Sequence, residues 1–243
     1  MNTNILLILS LSIIGPAIGS AIGVFKKPSK ESLYSALAFA AGIMISVCLF
    51  GLIPVSIRLS SWTYMLIGLF LGVIIMFACE KLIPHYHGFH HIHGPNAKLE
   101  KTALLLLIGI FLHNFPEGMA IGIGSIDSFS LSIAIAVVFA FHDIPEGICT
   151  SLPFYYSTGK KLKSFLISVS TALPTIFGFL LTYFFLKDIS HQTVGLLIGG
   201  TAGLMIFMSI FELIPNAHFE SRRFFKFACF FIGLVAVGLL NYL

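Results

Sequence analysis

Two copies of one six-residue motif carry the ionisable side chains with the greatest potential for chemistry. The first copy, HNFPEG, covers residues 113–118, and the second, HDIPEG, covers residues 142–147. Residues four apart lie on the same face of an α-helix, so His113 stacks over Glu117 and His142 over Glu146. Each copy therefore presents an imidazole and a carboxylate in one direction.

The residue after each histidine extends this ligand set. Asn114 contributes an amide and Asp143 a third carboxylate, each flanking the same face three residues before the glutamate. Mixed nitrogen and oxygen ligands suit Zn²⁺, and also Fe²⁺, Mn²⁺, Co²⁺ or Cd²⁺. A lone buried histidine is more often structural, but the repetition of the whole motif favours a metal site. The predicted ligands are His113, Asn114, Glu117, His142, Asp143 and Glu146.

Both motifs lie within long apolar stretches. The chain of 243 residues is 57% hydrophobic and 10% charged, with a mean hydropathy of +0.99, whereas soluble domains contain about 25% charged residues. Stretches of roughly 20 apolar residues are long enough to cross a bilayer as helices. We predict an all-α polytopic membrane protein with a single transmembrane domain over residues 1–243. Its eight spans cover approximately residues 4–24, 33–57, 62–79, 102–126, 130–152, 164–186, 193–214 and 224–242.

Spans 4 and 5 must bring the two motifs together. The connector around Asp127 is short, which predicts antiparallel neighbours with the motifs at similar depth. Pro116 and Pro145 each lack an amide hydrogen and are expected to bend their helices, while Gly118 and Gly147 leave room for close packing. Ionisable groups inside a bilayer cost about 3 kcal/mol or more each. Because these spans contain no lysine or arginine, a bound cation is the expected partner of the carboxylates.

The basic residues are distributed unevenly between the loops. Twelve of the fourteen fall in the odd-numbered loops, and only Arg58 and Lys187 fall in the even-numbered ones. Short basic loops stay in the cytoplasm, which predicts extracytoplasmic N- and C-termini in a cell membrane. This distribution explains the net charge of +4 without a nucleic-acid partner. The first span is expected to be a retained helix rather than a cleaved signal.

Spans 2 and 7 share an internal similarity. Five residues of span 2 recur in span 7 at a constant offset of 161, and under the predicted topology these spans cross in opposite directions. An inverted repeat of spans 1–3 and 6–8 around spans 4 and 5 is therefore predicted, although two apolar stretches ending in Ile-Pro could also resemble each other by chance. The matching pairs are Ala41 and Ala202, Gly42 and Gly203, Met44 and Met205, Ile53 and Ile214, and Pro54 and Pro215.

The third loop, at about residues 84–97, holds five of the nine histidines between proline and glycine residues. Imidazoles at short, irregular spacing capture metal ions weakly, which predicts a cytoplasmic metal-holding segment. A solvated loop without a specific role is the alternative. The histidines concerned are His85, His87, His90, His91 and His93.

The paired motifs, together with the AGIM and AGLM elements of spans 2 and 7 and the histidine-rich loop, resemble the ZIP family of divalent metal transporters. This resemblance implies a 3+2+3 arrangement of eight helices with outward termini, and metal movement into the cytoplasm. It also implies that His113, Glu117, His142 and Glu146 hold the main ion, with Met44 near it. Asn114 and Asp143 would join the two glutamates around a second ion.

The chain departs from the family at one position. Family members often place a glutamate before a proline in span 6, where this sequence has Leu173 before Pro174. That departure puts the second ion in doubt.

The resulting hypothesis is zinc uptake into the cytoplasm, with no catalytic cofactor and with the lipid bilayer and divalent ions as partners. A homodimer is neither required nor excluded by the sequence. The alternative is an intramembrane zinc-dependent hydrolase, because the same ligands are able to activate water. The chain contains neither HExxH nor Gly-x-Ser-x-Gly, and its equivalent ligand sets leave no distinct base or nucleophile. A metal sensor would need an output domain that the short loops do not provide.

Overall fold

Long helices form almost all of the structure, a computed structural model that describes residues 3–82, 97–127, 129–186, 189–218 and 222–240. Within these ranges the chain forms helices and turns and no strand, which confirms the all-α prediction. The helices are α1 (Thr3–Gly23), α2 (Lys30–Ser46), α3 (Ile53–Leu59), α4 (Trp62–Leu82), α5 (Ala97–Asp127), α6 (Phe129–Thr158), α7 (Lys161–Val169), α8 (Ala172–Phe185), α9 (His191–Phe207), α10 (Ile214–Asn216) and α11 (Arg223–Leu240).

Seven helical stretches of the described residues are long and apolar enough to cross a membrane. They agree with the first seven predicted spans, and the chain is a polytopic membrane protein. The eighth predicted span coincides with α11, which is not among these seven. The seven stretches are Asn4–Gly23, Lys30–Leu59, Trp62–Leu82, Ala103–Ser125, Ile135–Thr158, Lys161–Phe185 and His191–Asn216.

Two π-helical segments, Val47–Leu52 and Met208–Leu213, interrupt spans 2 and 7 and were not predicted. Each is followed by an Ile-Pro pair, and the isoleucine amide bonds back five residues, from Ile53 to Cys48 and from Ile214 to Ser209. A proline ring clashes with the carbonyl four residues earlier in an α-helix. The wider π turn accommodates that clash at Pro54 and Pro215.

The helices pack in pairs whose backbones touch at glycines. Helix α1 packs along α6, α5 along α8, α2 along α11, and α4 along α9, while α5 also lies against α6. A Cβ added to Gly42 of α2 would strike the carbonyl of Phe230 in α11, and one added to Gly203 of α9 would strike that of Leu69 in α4. Small residues of this kind allow close helix contact where no hydrophobic effect drives association.

The same offset of 161 that relates spans 2 and 7 in sequence also relates these contacts. Gly42 corresponds to Gly203, and Phe230 to Leu69. The helix starts correspond as well, because Ser29 caps α2 through the amide of Ser32, and Ser190 caps α9 through that of Thr193. The two π-helical segments begin and end at corresponding residues. The offset of 161 residues therefore relates both the sequences and the helix contacts of these spans.

Two sequence expectations have other outcomes. Lys226, counted among the basic residues of the odd-numbered loops, lies in the first turn of α11 and is fully buried. Helix α11 begins at Arg223, one residue before the predicted start of the eighth span. The five loop histidines lie outside the described residues.

Candidate metal centre

The paired motifs meet near the middle of the α5 and α6 helix pair. Both helices are continuous through their prolines, Pro116 in α5 and Pro145 in α6. The six predicted ligands are between 0% and 6% exposed. These side chains therefore lie in the protein interior, together with buried hydroxyl groups such as that of Thr150, which donates a hydrogen bond to the carbonyl of Glu146.

The histidines and glutamates make contact across the two helices. Nε2 of His113 in α5 lies 3.0 Å from Oε1 of Glu146 in α6 and forms a hydrogen bond with it. Nε2 of His142 in α6 lies 3.2 Å from Oε1 of Glu117 in α5, without the geometry of a hydrogen bond. The sequence predicted an imidazole stacked over a carboxylate within each helix. The structure also places each imidazole against the other helix's carboxylate, so the two motifs form one cluster.

His142 also lies close to two carboxylates of its own helix, α6. Nε2 of His142 lies 3.5 Å from Oδ1 of Asp143 and 3.9 Å from Oε1 of Glu146. Ligand atoms of Glu117, His142 and Asp143 all lie within 4.8 Å of one another, a spacing suited to holding a metal ion. The three groups come from both helices.

Many polar atoms of the cluster lack hydrogen-bond partners in the part of the chain that the structure describes. They include Nδ1 of His113, both carboxylate oxygens of Glu117, and Nε2 of His142. A buried polar atom left unsatisfied costs about 1–3 kcal/mol, and more when it is charged. A divalent cation would satisfy several of these atoms at once. The remaining cluster atoms without a hydrogen-bond partner are Oδ1 of Asn114, Oδ1 of Asp143 and Oε2 of Glu146.

Asn114 has a second role at the junction between α7 and α8. Its side-chain nitrogen donates a hydrogen bond of 2.7 Å to the carbonyl of Thr171, which leaves its side-chain oxygen free. Leu173, two residues later, is 59% exposed, whereas Ala172 is buried. The position where the family often has a glutamate thus faces the exterior of the protein in this structure.

Two glycines let neighbouring helices pack closely beside the cluster. A Cβ on Gly118 would strike the carbonyl of Thr175 in α8, and a Cβ on Gly147 would lie 2.7 Å from the carbonyl of Pro16 in α1. Since each glycine directly follows a glutamate of the cluster, α8 and α1 fix the positions of those glutamates from outside. This agrees with the room for close approach that the sequence predicted.

Cys48 is fully buried in the first π-helical segment, where its Sγ lies 3.6 Å from the carbonyl of Ala202. Met44 is buried one turn earlier in α2. The proline that follows the π-helical segment was the available sequence signal for an unusual backbone near the cluster.

Comparison with known proteins gives an independent result. Residues 90–241 match the family described as ZIP zinc transporter. A protein named zinc transporter ZupT from Enterobacter sp. strain 638 is 36% identical over 209 residues, covering 82% of this chain and 81% of that protein. Proteins of the same name from Clostridium perfringens and Chlorobium chlorochromatii are 30% and 28% identical, covering 90% and 98% of this chain and 87% and 98% of their own lengths.

Proposed function

Because the chain belongs to the ZIP zinc transporter family, we propose that it carries Zn²⁺ across the cell membrane into the cytoplasm through the cluster on α5 and α6. The observation that carries this proposal is the convergence of imidazole and carboxylate groups from both helices in an apolar interior. The relatives' name as zinc transporters supports zinc as the ion.

The proposed ligands of the transported ion are His113, Glu117, His142 and Glu146, with Asp143 beside them. Two neutral imidazoles and two carboxylates would give Zn²⁺ four ligands and cancel its charge. Fe²⁺, Mn²⁺, Co²⁺ and Cd²⁺ accept similar ligands and are proposed as competing ions. Asn114 and Met44 would border the ion.

Transport requires that the ion is exposed first to one side and then to the other. Ligands that are already in contact across two helices would replace the ion's hydration shell, which lowers the barrier to crossing an apolar region. Binding must stay moderate so that the ion is released. The hydrolase alternative is not favoured, because the histidine and glutamate of one motif are matched by those of the other and the relatives are named as transporters.

We also propose the membrane arrangement that the sequence predicts. Eight spans would form a 3+2+3 bundle with an inverted repeat, odd-numbered loops in the cytoplasm and both termini outside. Its support is the offset of 161 shared by sequence, caps and glycine contacts. In a background without other cysteines, Lys160→Cys and His191→Cys should react with an impermeant thiol reagent from opposite sides of sealed vesicles. Labelling of both from one side would contradict the topology.

Uptake into liposomes tests the central proposal. Purified protein should admit Zn²⁺, detected by a fluorescent zinc indicator inside the vesicles, and Glu117→Ala or Glu146→Ala should abolish the signal. Ser12→Ala, which removes a buried hydroxyl bonded within α1, is the matched control and should retain uptake. Undiminished flux in both glutamate variants would refute the site.

A further inference from the structure

A second buried charge lies away from the metal cluster, at the end of the bundle where α2 and α11 begin. Lys226 of α11 is fully buried, and its Nζ donates a 2.8 Å hydrogen bond to the carbonyl of His218. The same nitrogen lies 3.6 Å from Oε2 of Glu31 and 4.8 Å from the centre of the Tyr34 ring. The rings of Tyr34 and His218 lie 4.6 Å apart.

These four residues join three separate parts of the chain. Glu31 and Tyr34 belong to the first turns of α2, His218 follows α10 at the end of span 7, and Lys226 belongs to the first turn of α11. A buried ammonium is stable only with such partners, because desolvation of an isolated charge is very costly. The ends of spans 2, 7 and 8 therefore depend on one another at this point.

The residues that lie 161 positions away from these four have different chemistry. There α4 and α9 begin, and the residues offset by 161 from the charged cluster carry neither a charge nor an aromatic ring. That end is joined by small groups, since Oγ of Ser56 donates a 2.6 Å hydrogen bond to the carbonyl of Gly195. The residues corresponding to Glu31, Tyr34, His218 and Lys226 are Gln192, Gly195, Ile57 and Met65.

We propose that Glu31, Tyr34, His218 and Lys226 form an ionic latch that holds the α2 and α11 end of the protein closed, and that release of this latch opens that end to water. Because the four residues offset by 161 from the latch carry no charge, we expect the latch to bias the protein toward closure at one end. The inference concerns a conformational equilibrium and does not depend on which ion is carried.

Cys149 is a natural reporter of this opening. It lies three residues after Glu146, is buried, and its Sγ is 3.8 Å from the carbonyl of Ala36 in α2. Ala36 lies in α2, two residues beyond Tyr34, so the thiol would be uncovered if release of the latch lets the start of α2 move away from α6. Its rate of reaction with a polar maleimide therefore measures how often the latched end opens.

The experiment uses full-length protein in lipid nanodiscs without added metal, with Cys149 as the remaining cysteine. The test variants are Lys226→Met and Glu31→Gln, which introduce the residues found at the corresponding positions of the other half. Each should raise the labelling rate roughly five- to thirtyfold, the effect of losing about 1–2 kcal/mol of closure. The double variant should not exceed the larger single effect by more than about twofold, because both changes break one latch.

Lys163→Met removes an exposed basic residue and is the control, with labelling expected within about twofold of the parent. Rates are compared at equal distances below each variant's unfolding midpoint, so that global loosening is not mistaken for latch release. Labelling of both test variants at the control rate would overturn the proposal, even if their stability fell. Zinc uptake is measured separately, so a failed transport proposal leaves this result interpretable.

Discussion

His113 in α5 and Glu146 in α6 are joined by a hydrogen bond of 3.0 Å across the central helix pair. The two residues are 33 positions apart in the chain, and each belongs to a different copy of the repeated motif. His142 and Glu117 make the reciprocal contact at 3.2 Å. Each copy of the motif therefore contributes one imidazole and one carboxylate to contacts with the copy on the neighbouring helix.

Replacement of either central glutamate by its amide should remove zinc binding while preserving shape. Glu117→Gln and Glu146→Gln each keep the volume but lose a negative ligand in an apolar interior. Loss of a supporting partner alone weakens metal affinity about 10–100-fold, so loss of a ligand should cost at least about 100-fold. Isothermal titration with Zn²⁺ would measure this. Affinity within a few-fold of the parent in both variants would contradict the assigned ligand set.

The cross-helix contact predicts a specific energetic coupling. In metal-free protein, a double-mutant cycle between His113→Ala and Glu146→Ala should give a coupling of about 0.5–3 kcal/mol in the free energy of unfolding. The same cycle between His113→Ala and Glu117→Ala should give a smaller coupling, because His113 bonds to Glu146. Equal coupling in the two cycles, measured by reversible unfolding in detergent, would count against the cross-helix pairing.

Close packing beside the cluster should be sensitive to a single methyl group. Gly118→Ala would drive a Cβ into the backbone of Thr175, and overpacking of this kind costs about 1–3 kcal/mol. Because Glu117 directly precedes this glycine, zinc uptake should fall at least about tenfold. Gly51→Ala is the matched control, since its Cβ would meet no heavy atom within 4 Å. Similar uptake by both variants would contradict this positioning role.

A glutamate introduced at position 173 should not recruit a second ion. Leu173 is 59% exposed on α8, so the carboxylate of Leu173→Glu would point away from the cluster. The number of zinc ions bound per purified chain, measured by elemental analysis after dialysis, should remain that of the parent. A gain of one ion per chain would show that position 173 reaches the site.

The histidine-rich loop should act on release or regulation rather than on permeation. Replacement of its five histidines by serine removes the imidazoles proposed to capture metal ions, but leaves the six proposed interior ligands in place. The initial rate of uptake at saturating Zn²⁺ should therefore be retained in liposomes. Complete loss of transport would contradict the assignment of these residues to metal capture.

Several features of the fold were predictable because they follow from local chemistry. Apolar stretches of fixed minimum length gave the first seven spans, and the paired motifs identified six side chains that are all buried. The burial of Lys226 was not predicted. Its partners Glu31 and His218 come from distant parts of the chain, and a basic residue near a span boundary normally remains at the surface.

The sequence by itself determined the residue types, their depth along each helix and the apolar setting that makes a cation the natural partner of the carboxylates. Only the tertiary structure decided which imidazole meets which carboxylate. Spacing along one helix fixes the face a side chain occupies, but the rotation and separation of two helices depend on contacts such as Gly118 with Thr175 and Gly147 with Pro16. Those contacts turn two intrahelical pairs into one shared cluster.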